Sequence, residues 1–335
     1  MMNIIATIGD PNGIGIECLA KAIDYLIANC RWFEGVNIEI SGNASIVKDY
    51  LTQIHYPFDI SDDSLYLSGR AFKIHNICES HQIKFGETSK SAGAVAARAI
   101  EFALLETIAK KFDAMLTMPI SKESIQLAGW HFPGHTEMIA SACKVHNPLM
   151  LLFHNNIRVG LITTHTPLKD VSLEMTFSKI VQIATTLHHS LLKDFAIKHP
   201  RIAVLGINPH AGENGNIGRE ELEIIIPAMS RLKERGISTE GPFPADGFFG
   251  FGEYKKFDAI LAMYHDQGLV PLKLLAEGGG VNFTAGLPIV RTSPDHGTAF
   301  AIAGKSLANP QSTIAAIHSA YQIFNNRQAA NKVYL

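Results

Sequence analysis

A chain of 335 residues, 47% hydrophobic and 18% charged, has enough apolar material for two domains or one large one and is not the composition of a disordered protein. Its formal net charge of -2, with no long basic run, leaves nucleic-acid binding without an electrostatic footprint, so recognition of an anion must come from a local cluster. The four cysteines are scattered with no C-x-x-C pair, the opening MMNIIATIGDPNG has no basic segment or cleavage site, and the longest apolar candidate, residues 92–109, is broken by Arg98, Glu101 and Glu106. These features predict a cytoplasmic protein with reduced thiols that binds neither nucleic acid nor membrane.

Short apolar runs alternate with longer amphipathic segments, the pattern of an α/β protein with largely parallel strands. In chain order the strand NIIATIG precedes a helix over Gly15–Asn29. VNIEISG is followed by a helix over Ser89–Lys111, and AMLTMP by one over Thr136–Val145. PLMLLFHN and RVGLITTH come next, then a helix over Leu173–Phe195 with Ser172 as its N-cap. RIAVLGIN leads to a helix over Glu220–Arg235 that stops at Gly236. DAILAMYH, GLPIVRT and a helix over Gln311–Asn325 complete the set. No repeat or low-complexity linker is visible.

The strands run into polar segments: ISK, THTPLK, HAGENG, YHDQG and RTSPDHGTA. In open parallel α/β sheets the carboxyl edge is where ligands bind. Three of these ends carry a histidine, His165, His210 and His265. Neutral imidazole is a good ligand for a divalent ion, and three histidines with an open position form a catalytic zinc pattern. A single strand-end histidine would sooner be a loop filler; three at one topological position favour a site. Asp246 and Asp266 are candidates for further ligands or for orienting an imidazole, with a plain turn aspartate the competing reading, close to even for Asp246 beside Gly247.

Lys273, Asn282 and Arg291 suit an anionic substrate: arginine offers a fork of donors to phosphate or carboxylate, lysine a point charge. His135 and Thr136 stand at a predicted helix start, where outward N–H groups favour phosphate, although Thr136 beside Glu137 is also ordinary capping chemistry. Lys122 is a further candidate, weighed against a surface lysine. Neither GDPNGIG nor AEGGGVNFTAG has the spacing of a dinucleotide fingerprint, so a nucleotide would have to bind by another motif. The residues alone lead to a metal-dependent enzyme acting on a small anion at an α/β rim.

GDPNGIGIE, PGHTE, GINPHAGENGNIGREE, MYHDQGLVPLK and GLPIVRTSPDHGTAFAIAG resemble, in this order, signature stretches of the 4-hydroxythreonine-4-phosphate dehydrogenase family of pyridoxal phosphate biosynthesis. The resemblance runs from the first strand to the last helix. It implies two α/β/α domains related to isocitrate and isopropylmalate dehydrogenases, with the active site in the cleft between them. The first domain would take about 1–135 plus 290–335, and the second about 136–289, carrying the metal ligands and the dimer interface. It implies a homodimer whose active site is shared across subunits, His165, His210 and His265 holding one divalent metal, and His265 lent by the neighbour. Zinc is the expected ion, with magnesium or cobalt the alternatives.

The resemblance further implies substrate contacts by His135, Thr136, Lys273, Asn282 and Arg291. The stretch DHGTAFAIAGKSLANP resembles the nucleotide-binding loop of the wider superfamily, which places NAD or NADP against His296, Gly297, Thr298 and Asn309. Two positions depart from the family pattern, Ala301 where Asp is expected and Gly247 where Thr is. The implied reaction is oxidation of 4-phosphooxy-L-threonine to 2-amino-3-oxo-4-phosphooxybutanoate, which loses carbon dioxide to give 3-amino-2-oxopropyl phosphate. Lys273, or a water held by Asp266, would take the hydroxyl proton, with Asp246 nearby in the catalytic set. The alternatives are the same chemistry on phospho-threonate or phospho-erythronate, and a phosphate acyltransferase-like enzyme on a distantly related fold.

Overall fold

The computed structural model describes residues 1–130 and 134–333, with the side chains of His135 and of residues 331–333 outside that description. The PGHTE stretch therefore enters from Gly134 onward. In chain order the first elements are β1 (Met2–Thr7), α1 (Gly15–Asn29), β2 (Val36–Gly42), α2 (Ala44–Gln53), β3 (Asp59–Ser61), β4 (Ser64–Leu67), β5 (Arg70–Asn76), α3 (Lys90–Ile108), β6 (Ala114–Leu116), α4 (Lys122–Leu127) and α5 (His135–Ala142). They are succeeded by β7 (Leu149–His154), β8 (Ile157–Leu161), α6 (Val171–Glu174), α7 (Phe177–Lys193), β9 (Arg201–Leu205), α8 (Ile226–Glu234), β10 (Ser238–Phe243) and α9 (Ala245–Gly250). The last are β11 (Ala259–Ala262), α10 (His265–Ala276), β12 (Val281–Ala285), β13 (Val290–Pro294) and α11 (Gln311–Val333). Two compact units result, Met1–Lys144 with Pro288–Phe324, and Val145–Leu287 with Asn325–Leu335.

In the first unit the strand order is β13-β6-β1-β2-β5-β4-β3. The first five run parallel, and β4 and β3 turn back as an antiparallel extension. Continuous apolar runs suit strands covered on both faces, and Ile4, Ile5 and Met115 are fully buried. Ser89 caps α3, its Oγ accepting the N–H of Ala92. Small residues early in α3 let α4 approach closely: a Cβ added to Gly93 would fall 1.8 Å from the carbonyl oxygen of Ser124.

In the second unit the order is β10-β9-β11-β8-β7-β12. The first four strands are parallel. Val159, Leu161, Leu205, Ile260, Phe248, Leu269 and Leu272 form part of one core cluster here. Near the end of α11, Arg327 pairs with Asp194 at 2.7 Å, Ser190 donates to the same carboxylate, and Asn326 donates to the Asp194 carbonyl. These bonds tie Asn326 and Arg327 to this unit.

Several elements depart from the sequence reading. β7 and β8 form an antiparallel hairpin through Asn155 and Asn156, with Asn155 at φ 49°. A two-residue connection is too short for a parallel crossover and selects a positive-φ turn, which asparagine tolerates. β12 then pairs antiparallel with β7. The predicted helix over Leu173–Phe195 begins at Phe177, because Thr176 caps it by accepting from Lys179 N; Ser172 lies inside the separate α6. Gly236, at φ 75°, does lie just past the end of α8. β3, β4, β5, β10, β12, α2, α4, α9 and α10 were not foreseen. β10 reads STEGPF, polar and broken by Gly and Pro, and α10 contains Gly268 and Pro271, which read as breakers. Among the described residues no helix is long and apolar enough to cross a membrane.

Gly93→Ala should destabilise the protein by about 1–3 kcal/mol, the usual cost of overpacking. The measure is a lower urea midpoint at unchanged slope; an unaltered midpoint would contradict the close packing of α3 on α4.

Candidate active site

The carboxyl edge of the second unit is built by four adjacent parallel strands, β10, β9, β11 and β8. Asp246 comes after β10, His210 after β9, His265 and Asp266 after β11, and His165 after β8. Pairing continues past the strands: Ile162 N donates to the Ala262 carbonyl, and both the N–H and the hydroxyl of Thr163 donate to the Met263 carbonyl. Two residues further on, each chain segment presents a histidine. The rings of His165 and His265 accordingly lie 6.3 Å apart between centroids, inclined by 36°.

His265 opens α10, and its Nδ1–H donates to Asp266 Oδ1 at 2.7 Å. A carboxylate only accepts, so in the neutral ring this bond selects the tautomer whose Nε2 lone pair can take a ligand bond. Gln267, the third polar residue of the run, plays another part. It is buried; its Oε1 accepts the N–H of Met263 and its Nε2 donates to the Gly206 carbonyl. It thereby joins the ends of β11 and β9.

His210 is exposed on the turn Pro209–Gly215, whose residues 210–214 all have positive φ. Each non-glycine residue wound left-handed costs about 1–2 kcal/mol. Within one chain, no three His, Cys, Asp or Glu side chains among the described residues come together as a metal group. The donor chemistry nevertheless fits a divalent ion: two neighbouring imidazoles, one with its tautomer set by a carboxylate, beside a third histidine on the adjacent strand end. Asp246, second in α9, and Lys273, near the end of α10, are exposed. Asn282 lies in β12, and its Oδ1 is buried with no hydrogen-bond partner among the described residues.

The first unit gathers a separate set. Arg291, in β13, is almost wholly buried, and its Nε and Nη2 donate to Thr117 Oγ1 at 3.0 and 2.7 Å. Burial pulls the guanidinium down to about 10, and Glu137 in α5 acts to raise it, so it stays cationic at neutral pH. Gly134, not Thr136, occupies the N-cap of α5, and a glycine offers no side chain to cap the helix. Its leading N–H groups therefore lack the bond that a capping threonine would give. Lys122 lies close to Gly134. Thr136 is half-buried in the first turn, and the side chain of His135 lies outside the described residues.

The proposed nucleotide stretch packs on the loop after β1. Ile14 N donates to the Thr298 carbonyl, and a Cβ on Gly13 would come 2.9 Å from that oxygen. His296 Nδ1 lies 3.0 Å from the Gly297 carbonyl, and its Nε2 is buried with no hydrogen-bond partner among the described residues. Asn309 Oδ1 accepts from Gln311 N at the start of α11. Buried Glu17 accepts from Lys21 and from Ala308 N, while Lys21 also donates to the carbonyls of Ser306 and Ala308. Glu17, Lys21 and Thr117 were missed in the sequence. Only Thr117, directly after an apolar strand, carried a signal there.

Residues 36–320 match the family model described as pyridoxal phosphate biosynthetic protein PdxA. A 4-hydroxythreonine-4-phosphate dehydrogenase of Bacteroides thetaiotaomicron is 42% identical over 96% of this chain and 88% of its own. This chain belongs to the PdxA family. A second relative of this PdxA chain, from Bradyrhizobium diazoefficiens, is provisionally named a D-threonate 4-phosphate dehydrogenase; it is 38% identical over 96% of each chain. A solved 4-hydroxythreonine-4-phosphate dehydrogenase from Klebsiella pneumoniae superposes with a TM-score of 0.81 at 32% identity, covering 96% of this chain and 98% of that one. An isocitrate dehydrogenase from Methylococcus capsulatus, 13% identical with a TM-score of 0.52 over 100% of this chain and 89% of its own, shares the fold alone. Membership of the PdxA family, whose named relatives are dehydrogenases, makes this chain an oxidoreductase.

Gln267→Leu should leave Met263 N and the Gly206 carbonyl unpaired at about 1–3 kcal/mol for each buried group. Chemical denaturation should show that loss; full stability would mean the clamp between β11 and β9 carries little.

Proposed function

We propose that the chain oxidises C3 of 4-phosphooxy-L-threonine with NAD or NADP, aided by one divalent ion per site, zinc before magnesium or cobalt. The product, 2-amino-3-oxo-4-phosphooxybutanoate, then loses carbon dioxide to give 3-amino-2-oxopropyl phosphate. The observation that carries this reading is the row of adjacent parallel strand ends bearing His210, His265 and His165, with the last two 6.3 Å apart. His165, His210 and His265 would hold the ion, the set being completed across a homodimer; the approach of His165 to His265 is within one chain and does not favour the expectation that His265 is the one lent by the neighbour. When bound, the ion supplies Lewis acidity that eases loss of the hydroxyl proton and stabilises charge on the keto oxygen. A bound nicotinamide would supply the hydride acceptor.

The chain's own groups do the rest. Asp266 keeps His265 in the ligating tautomer, and Asp246 stands on the neighbouring strand end to orient a ligand or water. Lys273, or a water on Asp266, takes the hydroxyl proton. Arg291 held by Thr117, the glycine-capped start of α5 with His135 and Thr136, and Asn282 bind and orient the phosphorylated substrate. His296, Gly297, Thr298 and Asn309 hold the dinucleotide on a loop pinned to α1. Exposed apolar residues on the second unit, Val270 and Leu274 one turn apart on α10 and Phe251 after α9, support burial against a second copy. A cytoplasmic location suits its four free cysteines.

A second reading keeps every role and changes the substrate to phospho-threonate or phospho-erythronate; the similarity to the Bradyrhizobium diazoefficiens protein favours it. NADH formation across these phosphorylated acids, with and without added metal, decides between them. Acyl transfer to phosphate would leave the histidine row without work.

His210→Ala should lose bound zinc and turnover together. Undiminished NADH formation by the parent after chelation would refute the metal role. Arg291→Ala should raise KM for the phosphorylated substrate ~10–100-fold, the loss of a charge-assisted hydrogen bond worth about 1.5–3 kcal/mol. Unchanged KM and binding would refute the anion assignment.

A further inference from the structure

The turn bearing His210 is wound against the preference of L-residues. His210, Ala211, Gly212, Glu213 and Asn214 have φ of 53, 50, 80, 43 and 56°, and four of the five carry a side chain. A run of this kind persists only where its surroundings over-determine it. The side chain best placed to do so is Glu221, which is 1% exposed and opens the π-helical turn Glu221–Ile225 ahead of α8. Its Oε1 accepts the N–H groups of Ile207 and Asn208, both at 2.8 Å, and its Oε2 accepts Asn208 Nδ2 at 2.9 Å. Asn208 Nδ2 also donates to Glu220 at 2.7 Å. The turn itself closes on the same carboxylate: a Cβ on Gly206 or on Gly212 would lie 3.0 or 2.6 Å from its oxygens. From the opposite side Gln267 grips the Gly206 carbonyl.

We propose that Glu221 is a positioning residue for the reaction: its carboxylate gathers the backbone before His210 and holds the left-handed turn that aims the imidazole at the divalent ion. The inference rests on the reading that His210 is a metal ligand. Three donors converge on two acceptor oxygens, a set that a carboxylate satisfies. A glutamine there must turn its own NH2 toward a donor.

The test is zinc affinity of the full-length protein, measured by competition with a chromophoric chelator. His210→Gln sets the reference and should abolish tight binding; if it binds zinc as the parent does, the metal reading fails, and this inference with it. Glu221→Gln should weaken zinc binding ~10–100-fold, as loss of a group orienting a ligand does. Adding Ala211→Gly, which makes positive φ cost-free at the second residue of the turn, should restore a good part of that loss. Parent-like zinc affinity in Glu221→Gln while His210→Gln binds poorly overturns the proposal. So does a loss that Ala211→Gly fails to mend, since general damage to the fold would not be rescued by a glycine. Should Glu221→Gln not fold, Ala211→Val, which places a β-branched residue at the same positive φ with Glu221 intact, should weaken zinc binding by itself, and unchanged affinity there would overturn the proposal.

Discussion

Gln267 receives the N–H of Met263 and donates to the carbonyl of Gly206, and the joined ends of β11 and β9 depend on this clamp. It sits where two parallel strands, β11 and β9, give way to α10, which His265 opens, and to the turn that bears His210. On the other flank the backbone and hydroxyl of Thr163 close on Met263, so β8 and β11 stay in register until just before their histidines. Fixed strand ends are what allow three imidazoles from remote parts of the sequence to serve one edge. Rigid elements, with their backbone groups paired, place ligands more accurately than loops do.

Charge in the first unit is arranged differently. The chain as a whole is nearly neutral, and no basic surface is needed to capture a small phosphoester. One guanidinium, buried in β13 and bonded to Thr117, supplies a strong local field where water does not screen it. Desolvation lowers its proton affinity, but not far enough to discharge it near pH 7. The start of α5, with glycine at its N-cap, adds N–H donors in the same unit.

Much of this was legible in the sequence because parallel strands leave a simple signature: an apolar run, then a sudden polar cluster. That pattern pointed to His165, His210 and His265 as strand-end residues, whereas Arg291, read as following its strand, lies inside β13 because the polar run RTSP is itself part of the paired strand. It could not separate roles within a cluster. His265, Asp266 and Gln267 look alike as consecutive polar residues, yet the first two form an outward pair and the third is a buried brace. The hairpin of β7 and β8 escaped because two adjacent apolar runs suit either sense of pairing, and only the two-residue Asn155–Asn156 turn decides. Glu221 resembled any acid at a helix start. Its function depends on a left-handed turn that no local propensity announces.

The central claim is that imidazoles from β8, β9 and β11 share one divalent ion. Zinc K-edge X-ray absorption of the zinc-loaded protein in solution tests it most directly. The account predicts three imidazole nitrogens at about 2.0–2.1 Å from the metal, falling by one when His165, His210 or His265 is individually replaced by alanine and the weakened site is refilled at high zinc concentration. A first shell that keeps its imidazole count in any one of these variants, or that contains no histidine at all, would contradict it.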